Sequence, residues 1–280
     1  MIIKILSNQE QPIIRAFLNQ DKMSNLYLID LIDRQGIDYW GMHRWNGVFS
    51  ENGDLIALNA DIACAQPNQP CKLSVPVGDP AGCRLLGERT AKLGGCERLM
   101  AESEPADAFY QGLGTPKTRM NYREQLLFSN STTDASSLLV TPATTKWEAV
   151  LIEYTALMRI EDEGYDPRER NLDLWTRTIQ VLIAQKRILI HESNDEIVFV
   201  IEVGTRAEIG AQIGSTYVPP KFRNQGIGTK GMRGVINHLL KESQCITMLV
   251  NEDNKPAMRC YEKSGWKYHK DFLVIEMDVF

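Results

Sequence analysis

The chain has 280 residues, of which 43% are hydrophobic and 24% are charged, a balance typical of a globular protein with a packed interior. This length suits two domains, because single hydrophobic cores stop growing near ~250–300 residues. The formal net charge of -5 and the lack of any Lys/Arg block argue against a nucleic-acid partner.

The sequence also argues against a membrane or metal protein. The apolar start, residues 1–7, is too short for a signal peptide, and no apolar run approaches the ~20 residues that a membrane span needs. The six cysteines form no C-x-x-C pair and lie near no histidine at zinc-finger spacing. We therefore expect a cytoplasmic protein with reduced thiols, no metal and no membrane partner.

A short motif occurs twice, at an offset of 256 − 105 = 151 residues. Pro105-Ala106-x-x-x-Tyr110-x-x-x-Gly114 matches Pro256-Ala257-x-x-x-Tyr261-x-x-x-Gly265. An apolar strand is predicted before each copy, at 98–101 and 247–250, and another after each copy, at 121–128 and 272–277. Because the context matches on both sides, we interpret the two halves as a duplication.

Small polar residues from Ser129 to Ser137 predict a linker with nothing to bury. They divide the chain into domain 1–128, linker 129–137 and domain 138–280. In the second domain, helices are predicted at 147–158, with Gly164 and Pro167 as helix breakers after it, at 172–185, after Gly228 and at 256–264. Strands are predicted at 138–140, 187–191, 196–203, 208–218, 245–250 and 272–277, with a hairpin turn at 193–195. This order predicts a mixed α/β fold (an α+β mixed sheet) with antiparallel hairpins first and β-α-β crossovers later.

The run from Val218 to Thr229 lies between a predicted strand and a predicted helix. A glycine-rich turn that opens a helix exposes backbone N–H groups, which together with the helix dipole suit a phosphate. Arg223, three residues before Gly226, can add a charge-assisted contact. The run has neither the Gly-Lys-Ser/Thr of a Walker loop nor the three-glycine dinucleotide motif. A helix start that uses its glycines only for close packing is the alternative.

Arg223-x-x-Gly226-x-Gly228, after a strand that ends in Val218-Pro219, resembles the acyl-CoA pyrophosphate loop of the GNAT superfamily of N-acetyltransferases. Residues 251–257 and 261–266 resemble that superfamily's second cofactor motif. The resemblance covers about half of the chain and is weaker over residues 1–128. It implies two tandem acetyltransferase-like domains, each a mixed, mostly antiparallel sheet flanked by helices.

The resemblance implies acetyl-CoA as the cofactor and assigns residues to it. Backbone N–H groups of the loop would hold the pyrophosphate, and the end of the preceding strand would pair with the pantetheine arm. The cofactor-binding residues would be Tyr217, Val218, Arg223, Asn224, Gln225, Gly226, Ile227, Gly228, Thr229, Asn251, Asn254, Ala257 and Tyr261. Tyr261 would also donate a proton to the leaving thiolate, the alternative being a tyrosine of the core.

The general base stays unassigned at this point. The family often has a glutamate in the strand before the loop, but Gln212 lies near that position here, and an amide cannot act as a base. Glu202 and Glu208 are the alternatives, acting directly or through water, and each could instead be a solvated carboxylate at a strand end. Residues 161–163, Glu-Asp-Glu, fall in a loop that borders the family's acceptor site. They would favour a cationic amine, unless they form a solvated acidic helix end.

In the first half, residues 75–82 are the counterpart of the phosphate loop, and they depart from the loop's pattern. Pro80 removes an N–H donor, and Asp79 brings negative charge where a phosphate would lie. We therefore expect a degenerate domain that has lost the cofactor and shapes the acceptor site. Trp40, Trp45 and His43 could line such a pocket, with core packing of the tryptophans as the alternative.

The predicted function is transfer of an acetyl group from acetyl-CoA to a primary amine of a small molecule, an amino acid or a peptide. An acyltransferase for a longer acyl-CoA and a non-catalytic CoA-binding sensor or interaction module are the alternatives. A homodimer is compatible with the sequence.

Overall fold

The computed structural model describes residues 1–38, 42–64, 66, 69–207 and 209–278. These residues form two compact units. The first comprises Met1–Leu126, Val250–Asp253 and residues 268–278, and the second comprises Leu127–Leu249 and Asn254–Lys267. The change of unit after Leu126 lies just before the predicted linker. Residues 268–278, which the sequence placed in the second domain, pack with the first unit. The functional boundaries of the two domains stay a prediction.

The elements follow one another in similar order in the two halves of the chain. The first run is β1 (Ile2–Ile5), α1 (Gln11–Leu18), α2 (Leu26–Gln35), β2 (His43–Phe49), β3 (Leu55–Cys64), β4 (Cys71–Gly78), α3 (Pro80–Lys92), β5 (Arg98–Glu102), α4 (Ser103–Gly112) and β6 (Thr118–Ser129). The second run is β7 (Thr141–Pro142), α5 (Glu148–Glu163), α6 (Pro167–Ala184), β8 (Ile188–Ser193), β9 (Glu196–Ala207), β10 (Gly210–Tyr217), α7 (Ile227–Leu239), β11 (Cys245–Asn251), α8 (Lys255–Lys263) and β12 (Lys267–Met277). Among these helices, none combines the length and apolar character that crossing a membrane requires; only the described residues are covered.

In the first unit, β1 to β4 form an antiparallel meander and β4 then pairs in parallel with β5. The far side of β5 pairs antiparallel with β12, the last strand of the chain. The core between sheet and helices includes fully buried Trp45, Leu86, Leu99 and Phe109. Burial of such large side chains contributes most of the stabilisation of a unit of this size.

The second unit repeats this pattern. Strands β7 to β10 are antiparallel neighbours, and β10 pairs in parallel with β11. The predicted turn between β8 and β9 is confirmed: Asn194 and Asp195 both have positive φ, 52° and 56°. This is the conformation that a two-residue type I′ hairpin needs. Gly164 takes the left-handed conformation directly after α5 and ends that helix, as predicted.

The predicted linker lies on α7. Asn237 exchanges hydrogen bonds with the backbone of Thr133, and the amide of Leu138 donates to the carbonyl oxygen of Lys230 at 3.0 Å. Gly234 makes this approach feasible, because a Cβ atom there would overlap the Leu138 carbonyl group. The predicted strand at 138–140 is therefore wrong. Its backbone is bonded to a helix, and the strand begins at Thr141.

A stability prediction follows from the packing of α7 on its sheet. A Cβ atom on Gly231 would lie 2.5 Å from Cε2 of the buried Phe199 ring. Overpacking typically costs ~1–3 kcal/mol, which here exceeds the ~1 kcal/mol that alanine gains over glycine inside a helix. We expect Gly231→Ala to lower the free energy of unfolding by roughly 1–2 kcal/mol in urea titrations. Gly204→Ala is the control, since its Cβ would meet only an ordinary contact at 3.8 Å. Equal stability of both variants would contradict the prediction.

Candidate active site

Helix α7 begins without a side-chain cap. Gly226 is its N-cap residue, in the left-handed conformation with φ 75°, and no side chain of the described residues accepts a hydrogen bond from the helix start. The first helical bond runs from the amide of Lys230 to the carbonyl of Gly226, at 3.0 Å. The amides of Ile227, Gly228 and Thr229 therefore lack intrahelical acceptors. The exposed helix start offers these donors and the positive end of the helix dipole to an anion.

Two glycines shape this helix start for different reasons. Gly226 needs its positive φ, and a side chain there would meet no neighbouring atom. Gly228 needs its small size, because a Cβ atom would lie 3.2 Å from the Cys260 sulfur on α8. Thr229 also contacts this sulfur, with 3.6 Å between its Oγ1 and Cys260 Sγ. The start of α7 is thus held close against α8.

The guanidinium group of Arg223 is engaged by its own unit. Its Nη2 donates to both carboxylate oxygens of Glu161, at 2.9 Å each, and its Nε donates to the Val218 carbonyl at 2.8 Å. It also lies 5.5 Å from the centre of the Tyr217 ring. The hydrogen bond to Glu161 raises the pKa of Arg223. This ion pair connects the predicted phosphate loop to the end of α5, and the predicted phosphate contact of Arg223 stays a prediction.

Strand β10 has an irregular end beside the loop. It pairs with β11 only from Gly210 to Ile213, whereas its pairing with β9 continues to Tyr217. The register with β9 shifts between Gly214 and Tyr217, and Ser215 has a positive φ of 52°. Such bulges re-aim side chains and are frequent next to active sites. The backbone from Gly214 to Tyr217 is therefore free of β11, as an added extended chain would require.

Tyr261 lies on α8 with only 8% of its surface exposed. Burial raises the pKa of its phenol to about 12, although a hydrogen bond with Thr216 acts in the opposite direction. The phenol therefore keeps its proton at neutral pH. Since Thr216 belongs to the bulged end of β10, the phenol lies at the same strand end as the loop. This location is compatible with the predicted role of a proton donor.

Glu202, one of the two predicted bases, lies on β9 opposite Gly214. Burial raises the pKa of Glu202, while Arg159 and a hydrogen bond with Ser215 lower it. The neighbouring residues Ser215 and Thr216 thus contact one candidate base and one candidate acid. Sequence reasoning missed both residues, because nothing in the local pattern signals a bulge. The other predicted base, Glu208, lies outside the described residues.

The acidic end of α5 is partly neutralised. Glu161 pairs with Arg223, and Glu163 pairs with Arg159. Asp162 has no ionic partner among the residues that the structure describes. Desolvation raises the pKa of Asp162, as do its two acidic neighbours, and its charge in turn contributes to the raised pKa of Tyr261. The charge of Arg159 also acts on Asp162 and lowers its pKa, but Asp162 is the carboxylate of this group that forms no salt bridge among the described residues.

The second predicted cofactor motif provides helix and turn caps. Asn254 is the N-cap of α8, and its Oδ1 accepts from the Ala257 amide at 3.1 Å. The Oδ1 of Asn251 accepts from the Asp253 amide at 2.8 Å. Asn254 and Ala257 belong to the second unit and Asn251 to the first, so their joint contact with a cofactor stays a prediction.

The corresponding helix of the first unit, α3, is capped by its own chain. Asp79 is the N-cap residue, and its Oδ1 accepts from the Gly82 amide at 2.9 Å. Pro80 follows as the first helical residue and carries no N–H group. The carboxylate therefore occupies the position where an anion would bind to an uncapped helix. This capped helix start agrees with the sequence of residues 75–82, which lacks the phosphate-loop pattern of the second half.

The aromatic pocket predicted for the first unit does not form around Trp45. That side chain is 1% exposed and belongs to the core, which was the alternative reading. His43 lies on β2 with its Nε2 at 2.7 Å from Oε1 of Gln35. Trp40 lies outside the described residues.

Comparison with known proteins finds one family model that matches part of the second half of the chain. Residues 149–266 match the sequence model of the family described as "Acetyltransferase (GNAT) family". No curated protein matches the chain.

Several solved structures with similar folds are described as acetyltransferases. A GNAT-family acetyltransferase from Colwellia psychrerythraea is 13% identical, with a TM-score of 0.56, and the match covers 99% of this chain and 100% of that one. A GCN5-related N-acetyltransferase from Sphaerobacter thermophilus is 14% identical, with a TM-score of 0.59 and coverages of 99% and 95%. A tandem GNAT protein from the clavulanic acid biosynthesis pathway is 13% identical, with a TM-score of 0.52 and 98% of both chains covered. The predicted fold class, two tandem acetyltransferase-like α/β domains, is confirmed.

Proposed function

Because residues 149–266 are an acetyltransferase domain of the GNAT family, whose activity is acyl transfer from coenzyme A, we propose that the protein is an acetyl-CoA-dependent N-acetyltransferase. Its acceptor would be a primary amine of a small molecule, an amino acid or a peptide. One observation carries the proposal: the uncapped start of α7 lies at the same strand end as a buried, protonated Tyr261. An anion site and a proton donor are the two parts that a diphosphate-bearing thioester requires.

The residues that would hold acetyl-CoA are those of the loop and of the bulged strand. The Arg223 amide donates to the Pro220 carbonyl at 3.2 Å, so the amides that follow it, up to Thr229, would bind the diphosphate. The open edge of β10 at Tyr217 and Val218 would pair with the pantetheine arm. Asn251, Asn254 and Ala257 would contribute further contacts from the second motif. When bound, acetyl-CoA supplies an activated acetyl group. The open amides of Ile227, Gly228 and Thr229 support the fit, since no side chain of the described residues caps them.

Tyr261 would hold the proton that the departing sulfur takes up. A phenol with a pKa near 12 is fully protonated at neutral pH, and it stays a donor over the whole physiological range. Its burial also excludes water that could donate less selectively. The hydrogen bond with Thr216 would fix the direction of the phenol oxygen. General acids in this role typically contribute ~10²–10⁴-fold to the rate.

Glu202 would accept the proton that the attacking amine must lose. Of the two candidate bases, Glu202 is the one that the structure describes, and it lies opposite Gly214 at the bulge. Burial raises the pKa of Glu202 above its ordinary value, which brings the carboxylate closer to the pH at which a base works well. The carboxylate form is the active form of a base. Activity should therefore fall as the pH decreases through this raised pKa.

We expect Glu202→Gln to lower kcat/KM about 100-fold, the lower end of the general-base contribution, and to remove the acidic limb of its pH profile. Initial rates between acidic and neutral pH with a fixed amine measure both effects. Glu196→Gln is the matched control, because this exposed residue of the same strand pairs with Lys221. If Glu208→Gln reproduces the loss and Glu202→Gln does not, Glu208 takes the role.

Asp162 supports a cationic acceptor. It is the carboxylate of the α5 end that lacks an ionic partner among the described residues, and an ammonium group approaching Tyr261 would pass near its charge. A protonated amine would gain electrostatic attraction before it loses its proton to the base. Acceptors with a second positive charge should therefore bind better than neutral-tailed amines of the same size.

The proposal is tested by thiol release from acetyl-CoA with a panel of amines. Turnover with at least one primary amine, and an acetylated product by mass spectrometry, are expected. Parallel assays with longer acyl-CoA thioesters distinguish an enzyme that is specific for acetyl-CoA from one that transfers longer acyl groups. Saturable binding of acetyl-CoA without turnover of any amine would instead favour a CoA-binding sensor. The observation that supports this alternative is Gln212, whose side-chain amide lies near the position where the family has its base.

A further inference from the structure

Three thiol groups cluster in the first unit. Cys64 is the last residue of β3, Cys71 is the first residue of β4, and Cys96 lies just before β5. Cys64 is directly opposite Cys71 in the antiparallel pair, and Cys71 is bridged in parallel to Cys96. The exposed fractions of these three residues are 6%, 0% and 2%. The proposed transferase reaction uses none of them.

The backbone sets Cys64 and Cys71 close together. The amide of Cys64 donates outward to the Met42 carbonyl at 2.8 Å, and that of Cys71 donates outward to the Gly95 carbonyl at 3.1 Å. Because neither amide points at the other strand, this is a non-hydrogen-bonded pair, in which the two Cα atoms lie ~4.5 Å apart. Disulfides span Cα separations of ~4.4–6.8 Å. The backbone separation of the pair is therefore within the range that a disulfide needs.

The surroundings distinguish the two thiols chemically. Hydrogen bonds from the thiols of Cys64 and Cys96 lower the pKa of Cys71, and the same contact raises the pKa of Cys64. The Ser74 hydroxyl lies 3.4 Å from the Cys71 sulfur and donates to the buried Asp61 carboxylate at 2.5 Å. The Cys71 thiol also donates to Oδ1 of Asp61 at 3.5 Å, and burial together with Cys71 raises the pKa of that carboxyl group to about 7. Of the two facing thiols, Cys71 is the one whose pKa is lowered, which favours it as the attacking thiol and Cys64 as the resolving thiol.

We propose that Cys71 and Cys64 are a thiol-oxidation site at which a small hydroperoxide, such as hydrogen peroxide, forms a reversible disulfide. The Cys71 sulfur attacks one peroxide oxygen, the O–O bond breaks, and Cys71 becomes a sulfenic acid while hydroxide leaves. The Cys64 sulfur then attacks the Cys71 sulfur, the S–O bond breaks, and water leaves with the Cys64 proton. The hydroxide takes up the proton lost earlier by Cys71. In total two thiols are oxidised, one peroxide is reduced, and two waters form.

The position of the pair limits the oxidant to a small molecule. Both cysteines border the β3–β4 connection, in which Gln66 and Gln69 are exposed. Their own low exposure excludes a bulky disulfide such as oxidised glutathione from direct exchange. A dithiol reductant would act on the oxidised pair only after local opening of the hairpin end.

Peptide mapping of the folded full-length chain tests the proposal. The protein is treated with hydrogen peroxide, its remaining thiols are alkylated, and it is digested with trypsin. Residues 45–72 form one tryptic peptide that holds both cysteines, whereas Cys96 falls in the separate peptide 93–98. We expect peptide 45–72 to lose two hydrogen atoms and both alkylation sites, and dithiothreitol to restore them. A cross-link between the two peptides, or an unchanged peptide 45–72 while exposed methionines oxidise, would overturn the proposal.

Variants identify the roles of the two sulfurs. In Cys64→Ala the disulfide should be absent, and a dimedone probe should capture sulfenic acid at Cys71. The control is Cys83→Ala, which removes another buried thiol of the same core and should leave the disulfide unchanged. Capture of sulfenic acid at Cys96 in place of Cys71 would contradict the assignment. The mapping of the natural chain decides the proposal even if Cys71→Ser fails to fold.

Discussion

Replacing Tyr261 by phenylalanine is expected to lower kcat about 100-fold or more, since general acids contribute ~10²–10⁴-fold. The change removes only the phenol oxygen, and the ring remains packed in its buried position on α8. Because the oxygen would act on the departing sulfur and not on the diphosphate, the Kd for CoA should stay within about threefold. Steady-state rates and calorimetric titration of the same preparation separate the two effects.

The repeat provides a matched control for this variant. Tyr110 occupies the equivalent position of the first copy, where its hydroxyl donates to the Pro116 carbonyl at 2.7 Å. Tyr110→Phe makes the same chemical change in the degenerate copy, so we expect kcat to be unchanged and stability to fall by only about 1 kcal/mol from the lost hydrogen bond. Unchanged turnover in Tyr261→Phe would remove this residue from catalysis.

Reversal of charge at Arg223 is expected to weaken CoA binding by at least about 100-fold. A charge-assisted hydrogen bond is worth ~1.5–3 kcal/mol, and every 1.4 kcal/mol is a tenfold change in Kd. Arg223→Glu would also place a second carboxylate beside Glu161, which now pairs with the guanidinium group. The loop would then repel a diphosphate from two side chains. Calorimetric titration with CoA measures the loss.

Lys221→Glu is the control for this prediction. It changes the net charge by the same amount, two residues away, at a lysine whose ammonium group pairs with Glu196 at 2.6 Å. If general electrostatic attraction dominated, both variants would lose affinity equally, and the loss would fade with salt. We expect the Lys221 variant to lose less than tenfold, on the order of 1 kcal/mol, because its charge is exposed. Equal losses would refute a specific contact by Arg223.

Local patterns were sufficient for most elements of the second unit. Helical spacing of apolar residues located α5 and α7, and Gly164 marked the end of α5. The repeat also corresponds to real structure, because Gly114 and Gly265 both follow their helices with positive φ, 82° and 94°. Helix caps and turns depend on residues that are close together in the sequence, which is why the sequence can predict them.

Features that depend on distant residues could not be predicted. The ion pair of Arg223 with Glu161 joins positions 62 residues apart, and no local pattern indicates it. The bulge at Ser215 depends on how β10 meets β9, since isolated strands carry no register. The sequence predicted β12 as a strand but did not predict that it pairs with β5. An alternation of apolar residues indicates a strand without indicating the strand it pairs with. The fold was therefore more predictable than the site.

A crystal structure of the protein with bound CoA tests the central claim most directly. The account predicts diphosphate oxygens within ~2.7–3.2 Å of backbone nitrogens between Gly226 and Thr229, with the sulfur facing the phenol of Tyr261. It is contradicted if ordered CoA occupies another part of the chain while the amides at the start of α7 bind only solvent or side chains.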